Sequence, residues 1–72
     1  MNPIPNLPPI EKVAAKVHEA WMEERRKQGF TSVPSVITGE EQMRPYAELS
    51  EAVKDYDRAT VRAVYAAIYD AL

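Results

Sequence analysis

The stretch IEKVAAKVHEAWMEERRKQG, residues 10–29, decides the fold of this chain. It ends in glycine, the residue type that is favoured just past the end of a helix. Arg25, Arg26 and Lys27 lie in the last turn before that glycine, where the helix dipole favours cations. We therefore predict a first helix from about Ile10 to Gln28, with Pro9 at its start, where the missing N–H costs nothing.

Two neighbouring strips of this helix carry different side chains, because an α-helix turns by about 100° per residue. The first strip is apolar, and we expect it to face the core: Ile10, Val13, Val17 and Ala20. The second strip lies beside it: Ala14, His18, Trp21 and Arg25. It holds the only histidine and the only tryptophan of the chain, so it is the first candidate for a binding surface.

A second helix is predicted from about Glu51 to the C-terminal residues, with Ser50 as its N-cap. Its apolar stripe has seven members: Val53, Thr60, Val61, Val64, Ala67, Ile68 and Ala71. Residues 29–44 show no helical period, so we expect a long irregular connection with either a short β piece or a 3₁₀ turn. Pro34 argues against a central strand, and the segment RPYAELS, residues 44–50, is typical of a short helical or 3₁₀ turn.

The N-terminal segment, residues 1–9, contains four prolines. Proline fixes φ and lacks an N–H, so we predict an extended arm with polyproline-like geometry. Residues 10–72 then form the single domain that so short a chain allows. The predicted fold class is all-α, with two main antiparallel helices, the proline-rich arm and the irregular connection.

Two helices of a 72-residue chain bury little apolar surface by themselves. The chain has no cysteine for a disulfide, and one histidine without cysteine cannot build a structural zinc site. Self-association is the remaining source of extra stability, and the far side of the helices needs the connection, the proline-rich arm or a second copy to cover it. We therefore predict a homodimer that uses the apolar positions of the second helix and the proline-rich arm. The candidate surface is the stretch AVYAAIYDAL, residues 63–72, with a flanking strip: Arg58, Arg62, Tyr65 and Tyr69.

Composition and motifs argue against several classes of function. Nine basic and eleven acidic residues give a net charge of −2, which is far from the basic balance of a nucleic-acid-binding protein. No apolar run approaches the roughly 20 residues that cross a bilayer, and the first residues lack the features of a secretory signal. We expect a cytoplasmic protein with no membrane or nucleic-acid partner.

Enzyme signatures are absent from the sequence as well. His18 and Glu19 lie on different faces of the first helix, and the second histidine of the HExxH motif is missing. The chain has two glycines and no glycine-rich phosphate loop. We therefore expect a protein that is not an enzyme and that holds no cofactor and no metal.

His18 and Asp57 each have a structural and a functional interpretation. His18 is either a half-buried residue bonded to the backbone or to a carboxylate, or a ligand-binding group. Asp57 falls on the apolar side of the second helix, where a carboxylate needs a partner. The expected partners are Arg25, Arg44 and the indole N–H of Trp21. Both a structural hydrogen bond and a ligand role remain open for Asp57.

Trp21 is either part of the core or an aromatic platform. Aromatic faces stack on nucleobases, and a guanidinium binds phosphate through two parallel hydrogen bonds. His18 precedes Trp21 by three residues and Arg25 follows it by four, which is the chemistry that a small nucleotide requires. Tryptophan and arginine also stack on each other as ordinary structure, so the pattern alone does not decide.

Two blocks of the sequence together resemble the RyR domain, the repeat that occurs in pairs in ryanodine receptors and singly in bacterial and phage proteins. The first block, VHEAWMEERRKQGF at residues 17–30, and the residue after it match at Val17, His18, Glu19, Trp21, Gly29, Phe30 and Thr31. The second block, RPYAELSEAVKDYDRATVRAV at residues 44–64, matches at Pro45, Tyr46, Leu49, Glu51, Tyr56, Asp57 and Arg58. The middle segment, SVPSVITGEEQM at residues 32–43, is shorter than in the family and lacks its Arg-Asp and His-Pro elements.

The resemblance, over about residues 10–68, implies an all-α module that is not an enzyme. In the receptors, paired repeats look like nucleotide-binding modules, with adenine between tryptophans of the two repeats and arginines toward the phosphates. Single prokaryotic domains are proposed as sensors of nucleotide-derived signals. The matching residues here are Trp21 and Arg25, and a single repeat reproduces the tryptophan pair only by dimerising.

The sequence therefore predicts a module that binds an adenine nucleotide or an ADP-ribose-type ligand at a dimer interface. The candidate ligand-binding residues are His18, Trp21, Arg25, Arg44 and Asp57. The alternative is a protein–protein interaction module without a small-molecule ligand, in which the same aromatic and arginine strips contact another protein.

Overall fold

The computed structural model describes residues 6–72. Helix α1 spans Ile10–Lys27, a 3₁₀ turn spans Tyr46–Glu48, and helix α2 spans Glu51–Asp70. The prediction of an all-α fold with two main helices and a 3₁₀ turn is confirmed. Residues 1–5 of the predicted proline arm lie outside the described residues.

The connection between the helices contains no strand within residues 6–72. Its β-branched part forms one isolated antiparallel bridge, between Pro34 and Glu41. The two helices meet in antiparallel order: the carbonyl of Pro8, before α1, accepts a hydrogen bond from the Tyr65 hydroxyl at 2.8 Å, whereas His18 lies beside Asp57. The later half of α1 therefore lies toward the earlier half of α2.

The start of α2 is capped as the sequence predicts. The Oγ atom of Ser50 accepts a hydrogen bond from the backbone N–H of Val53 at 3.3 Å, which satisfies one of the free donors of the first turn. The carboxylate of Glu40 accepts a hydrogen bond from the N–H of Ser50 at 2.9 Å. The connection is thus fastened directly to the first turn of α2.

The end of α1 is set by a glycine. The helix ends at Lys27, one residue before the predicted Gln28, which is within the usual fraying of helix ends. Gly29 has a φ of +91°, a conformation that glycine adopts without cost. The N–H of Phe30 donates to the carbonyl of Arg25 at 3.0 Å across this turn, so the chain reverses and brings Phe30 back beside Arg25.

The core forms where α1, the 3₁₀ turn and α2 meet. Its buried members are Ala14, Tyr46, Leu49, Val53 and Val61. Partly buried side chains pack around them: Ile10, Val13, Ala15, Val17 and Tyr65. The buried face of α1 differs from the predicted one, because Ala14, His18 and Met22 are buried while Ala20 is exposed. The buried face is rotated from the predicted strip toward His18, because His18 contacts Asp57 and lies beside the ring of Tyr46.

The apolar stripe of α2 is buried only in part. Val53 and Val61 are buried, but four other members of the predicted stripe are exposed: Thr60, Val64, Ala67 and Ala71. The predicted self-association strip is engaged in part within the chain: the Tyr65 hydroxyl donates a hydrogen bond to the carbonyl of Pro8, and Arg58 is paired with carboxylates. The exposed apolar surface therefore lies mainly on the later half of α2.

A cluster of charges around Arg58 ties α1 to α2. Its guanidinium pairs with Glu11, with Glu51 at 2.7 Å and with Asp55 at 2.8 Å. These carboxylates raise the pKa of Arg58 above its ordinary value. Arg58 lowers the pKa of Glu11, to which the Tyr46 hydroxyl also donates a hydrogen bond at 2.9 Å.

Candidate functional site

A cleft of about 410 Å³ opens beside the second strip of α1. Its lining comes from three parts of the chain: His18, Trp21 and Arg25 of α1, residues 33–37 and Gln42 of the connection, and Tyr56, Asp57 and Thr60 of α2. Small-ligand pockets commonly measure about 300–1,000 Å³. The cleft therefore has the size of a small-ligand site.

The cleft brings together four of the five predicted ligand-binding residues: His18, Trp21, Arg25 and Asp57. Arg44 does not line it. The guanidinium of Arg44 donates to the carbonyl of Glu48 at 2.8 Å, and its own backbone carbonyl lies 2.7 Å from Nε2 of His18. The structure thus gives Arg44 a backbone role below the cleft and leaves its side chain outside.

His18 is almost fully buried, with 3% of its surface exposed. Its Nε2 atom lies 2.7 Å from the carbonyl oxygen of Arg44, and its Nδ1 atom lies 3.3 Å from Oδ2 of Asp57. A carbonyl oxygen only accepts, so Nε2 must carry a proton. The Nδ1 atom faces the Asp57 carboxyl, so a proton on either atom would join the two groups.

The prediction of which residues pair with Asp57 was wrong. We expected Arg25, Arg44 or the indole of Trp21, and the structure places His18 against the carboxyl instead. Helical periodicity identifies the apolar face of one helix at a time, so it cannot predict which residue of α1 contacts Asp57 on α2. Burial raises the pKa of the Asp57 carboxyl, and the neighbouring His18 offsets part of that rise.

Trp21 is half-buried and lies outside the core cluster. Its ring stacks on the imidazole of His18, with centroids 5.5 Å apart and planes inclined by 28°. The guanidinium of Arg25 lies 5.7 Å from the Trp21 ring and 5.6 Å from the ring of Phe30. Trp21 is therefore a wall of the cleft, held from beneath by a buried histidine.

Arg25 gives the cleft its charge. Its guanidinium donates to the side-chain oxygen of Gln28 at 2.9 Å, and no carboxylate of residues 6–72 pairs with it. Asp57 is the one acidic residue among the lining side chains that the structure describes. Asp57 lies against His18, so the guanidinium of Arg25 is a cation in the cleft that is available to an anionic ligand.

The lining residues that the sequence reasoning did not place in the site include Ser35, Gln42 and Tyr56. Ser35 is buried, and its Oγ lies 3.1 Å from the Tyr56 hydroxyl. Tyr56 belongs to the Tyr-Asp-Arg match with the RyR domain, so the resemblance could have identified it as a candidate site residue. Ser35 and Gln42 lie in a segment without periodicity, where nothing in the sequence separates a lining residue from its neighbours.

The described part of the chain shows neither a cluster of metal ligands nor a membrane-crossing helix. Residues 6–72 contain no group of three or more His, Cys, Asp or Glu side chains placed to hold a metal ion. Neither α1 nor α2 combines the length and the apolar character that a membrane-crossing helix needs.

Comparison with known families gives one match. The model of the RyR domain family matches residues 7–70, nearly the full length of the chain. Comparisons with curated proteins and with solved structures found no significant match. The matched region spans both blocks that carry the resemblance and also the middle segment, residues 32–43. The chain belongs to the RyR domain family.

Proposed function

We propose that this RyR domain is a ligand-binding module, not an enzyme, and that it binds an adenine nucleotide or an ADP-ribose-type molecule in the cleft beside Trp21. The observation that carries the proposal is the pairing of an aromatic ring with an arginine that no carboxylate of residues 6–72 neutralises, in one cleft of about 410 Å³. A base stacks on an aromatic ring, and a guanidinium binds phosphate. The cleft thus offers complementary groups to both ends of a nucleotide.

Stacking requires a free face of the Trp21 ring. His18 precedes Trp21 by about one helical turn and Arg25 follows it by about one turn, so the two approach the indole from opposite sides along the helix axis. His18 is buried between the carbonyl of Arg44 and the carboxyl of Asp57, whereas the guanidinium of Arg25 is hydrogen-bonded to one exposed side chain and lies over the rings of Trp21 and Phe30. The base therefore takes the place of the guanidinium, which turns toward the phosphates.

Binding without chemistry is also part of the proposal. A histidine that acts as a general base needs a ring nitrogen free to take a proton from the reactant. Both nitrogens of His18 are engaged, by the Arg44 carbonyl and by Asp57. The hydroxyl of Ser35 is bound to Tyr56 and to two backbone N–H groups. These lining groups hold the site together and are not poised to react.

Replacing Arg25 by alanine distinguishes the contribution of the ligand's phosphates to the affinity from that of its base. We expect ATP to bind at least about tenfold more weakly, because a charged hydrogen bond contributes about 1.5–3 kcal/mol, while adenosine binds as before. Calorimetric titration with both ligands measures the difference. Lys16→Ala, which removes an exposed cation outside the cleft, is the matched control. Wild-type affinity of Arg25→Ala for ATP would rule out the phosphate role.

We also propose that the chain assembles as a homodimer through the exposed apolar residues of α2. Val64 and Leu72 are exposed large hydrophobic residues on or just after this helix, and the two-helix core leaves that surface uncovered within residues 6–72. Sedimentation equilibrium should show a dimer at micromolar concentration, and Val64→Arg should shift it toward monomer. A stable wild-type monomer across that range would contradict the proposed dimer and remove any second tryptophan from the site.

The alternative function is a protein–protein interaction module. The exposed apolar surface of α2 favours it, because such a surface suits a protein partner as well as a second copy. Titration with ATP, ADP-ribose and cyclic nucleotides separates the two functions. A protein that binds none of these ligands at millimolar concentration, yet is folded, would favour the alternative.

A further inference from the structure

Two aliphatic side chains stand exposed at the edge of the cleft. Val36 and Ile37 line it together with Trp21, yet their exposed fractions are 101% and 77%. Residues so exposed cannot lie on the floor of a cavity, so they form its rim. They come from the connection, whereas Trp21 comes from α1, so the apolar lining has two separate origins.

The rim is held in a fixed position by Ser35, which is 5% exposed. The Oγ atom of Ser35 accepts hydrogen bonds from the N–H groups of Ile37 and Thr38, both at 3.2 Å. Its backbone carbonyl accepts from the N–H of Gly39 at 2.8 Å, and its hydroxyl lies 3.1 Å from that of Tyr56 on α2. The tip that carries the two aliphatic residues is therefore a closed turn fastened to a helix.

The base of this turn is fixed by Glu41. Its carboxylate accepts hydrogen bonds from the Ser32 hydroxyl, from the N–H of Val33 at 2.7 Å and from the N–H of Met43 at 3.0 Å. These donors lower the pKa of Glu41 to about 2. The turn is thus held on both of its sides, and a ligand that contacts its tip loses little free energy in ordering it.

We propose that Val36 and Ile37 form the second wall of the ligand site and cover the face of the base that Trp21 does not touch. The inference rests on the proposed function and specifies which residues of the same chain enclose the base. The wall lies in the middle segment, where the chain departs from the RyR pattern. The two faces of the base are then covered within one chain, and no second copy is needed to complete the site.

The test replaces both aliphatic residues by serine, Val36→Ser together with Ile37→Ser. Loss of two apolar contacts should weaken binding of adenosine and of ATP by the same factor, about tenfold or more, because the wall touches the base and not the phosphates. Since both side chains are exposed, the melting temperature should not change. The exchange Val36→Ile with Ile37→Val keeps the apolar surface and should keep the affinity near that of wild type.

The outcomes separate this inference from the proposed function. Wild-type affinity of the serine double variant for both ligands would overturn the second wall and leave the proposed function standing. A loss confined to ATP would also overturn it, because it would place the wall at the phosphates. Failure of the wild-type protein to bind either ligand would overturn the proposed function, and the wall with it.

Discussion

Trp21→Ala weakens binding of adenosine and ATP by about one to two decades in the proposed site, because a base stacked on an aromatic ring contributes about 1–3 kcal/mol. The protein should remain folded. A fully buried tryptophan leaves a cavity that costs about 3–5 kcal/mol, but Trp21 is half-buried and outside the core cluster. Calorimetric titration beside thermal melting measures the two effects separately.

The matched control for this change is Trp21→Phe, which keeps an aromatic face and should retain most of the affinity. A Trp21→Ala protein that is folded and binds both ligands like wild type would contradict the stacking role. A Trp21→Ala protein that merely unfolds would show that the ring is needed for the fold. Affinity retained by Trp21→Phe and lost by a folded Trp21→Ala would support the site.

The second large effect that we expect is a loss in the free energy of unfolding when His18 is replaced by alanine. His18→Ala removes the donor to the Arg44 carbonyl, leaves the Asp57 carboxyl without its partner and opens a cavity below Trp21. A buried polar group left without a partner costs about 1–3 kcal/mol. Asp57 is only partly buried, but the cavity adds to the cost, so we expect a loss of about 3 kcal/mol or more. That is a large part of the total stability of a small domain. Urea unfolding followed by circular dichroism measures it.

The interaction between the two side chains can be isolated by a double-mutant cycle. In the variant with His18→Ala and Asp57→Ala the carboxyl that would be left without a partner is gone, so the combined loss should be smaller than the sum of the two single losses. Losses that simply add would contradict the pairing of His18 with Asp57. A His18→Ala protein within about 0.5 kcal/mol of wild type, the range of ordinary surface changes, would contradict the buried role of the ring.

The features predictable from the sequence are those set by local chemistry. Gly29 ends α1 because it adopts a positive φ, and Ser50 begins α2 because its hydroxyl caps the first turn. The stretch RPYAELS forms the 3₁₀ turn for similarly local reasons. The strip that joins His18, Trp21 and Arg25 follows from helical spacing alone, and the cleft opens beside it.

The features that sequence reasoning missed depend on contacts between distant segments. Ala20 was placed in the core although it is exposed, because helical spacing does not say which strip of α1 meets α2. His18 meets Asp57 across the two helices for the same reason. Arg44 contributes a backbone carbonyl, which residue type does not reveal. The turn braced by Ser35 has no periodic pattern, so its place at the cleft became visible only in three dimensions.

The most direct test of the nucleotide site is a fluorescence titration of the wild-type protein. Trp21 is the only tryptophan in the chain, so a change in tryptophan emission reports on this ring alone. Adding ATP or ADP-ribose should quench the emission in a saturable way, with one ligand bound per chain by calorimetry. Unchanged emission and no heat of binding with either ligand at millimolar concentration would contradict the account.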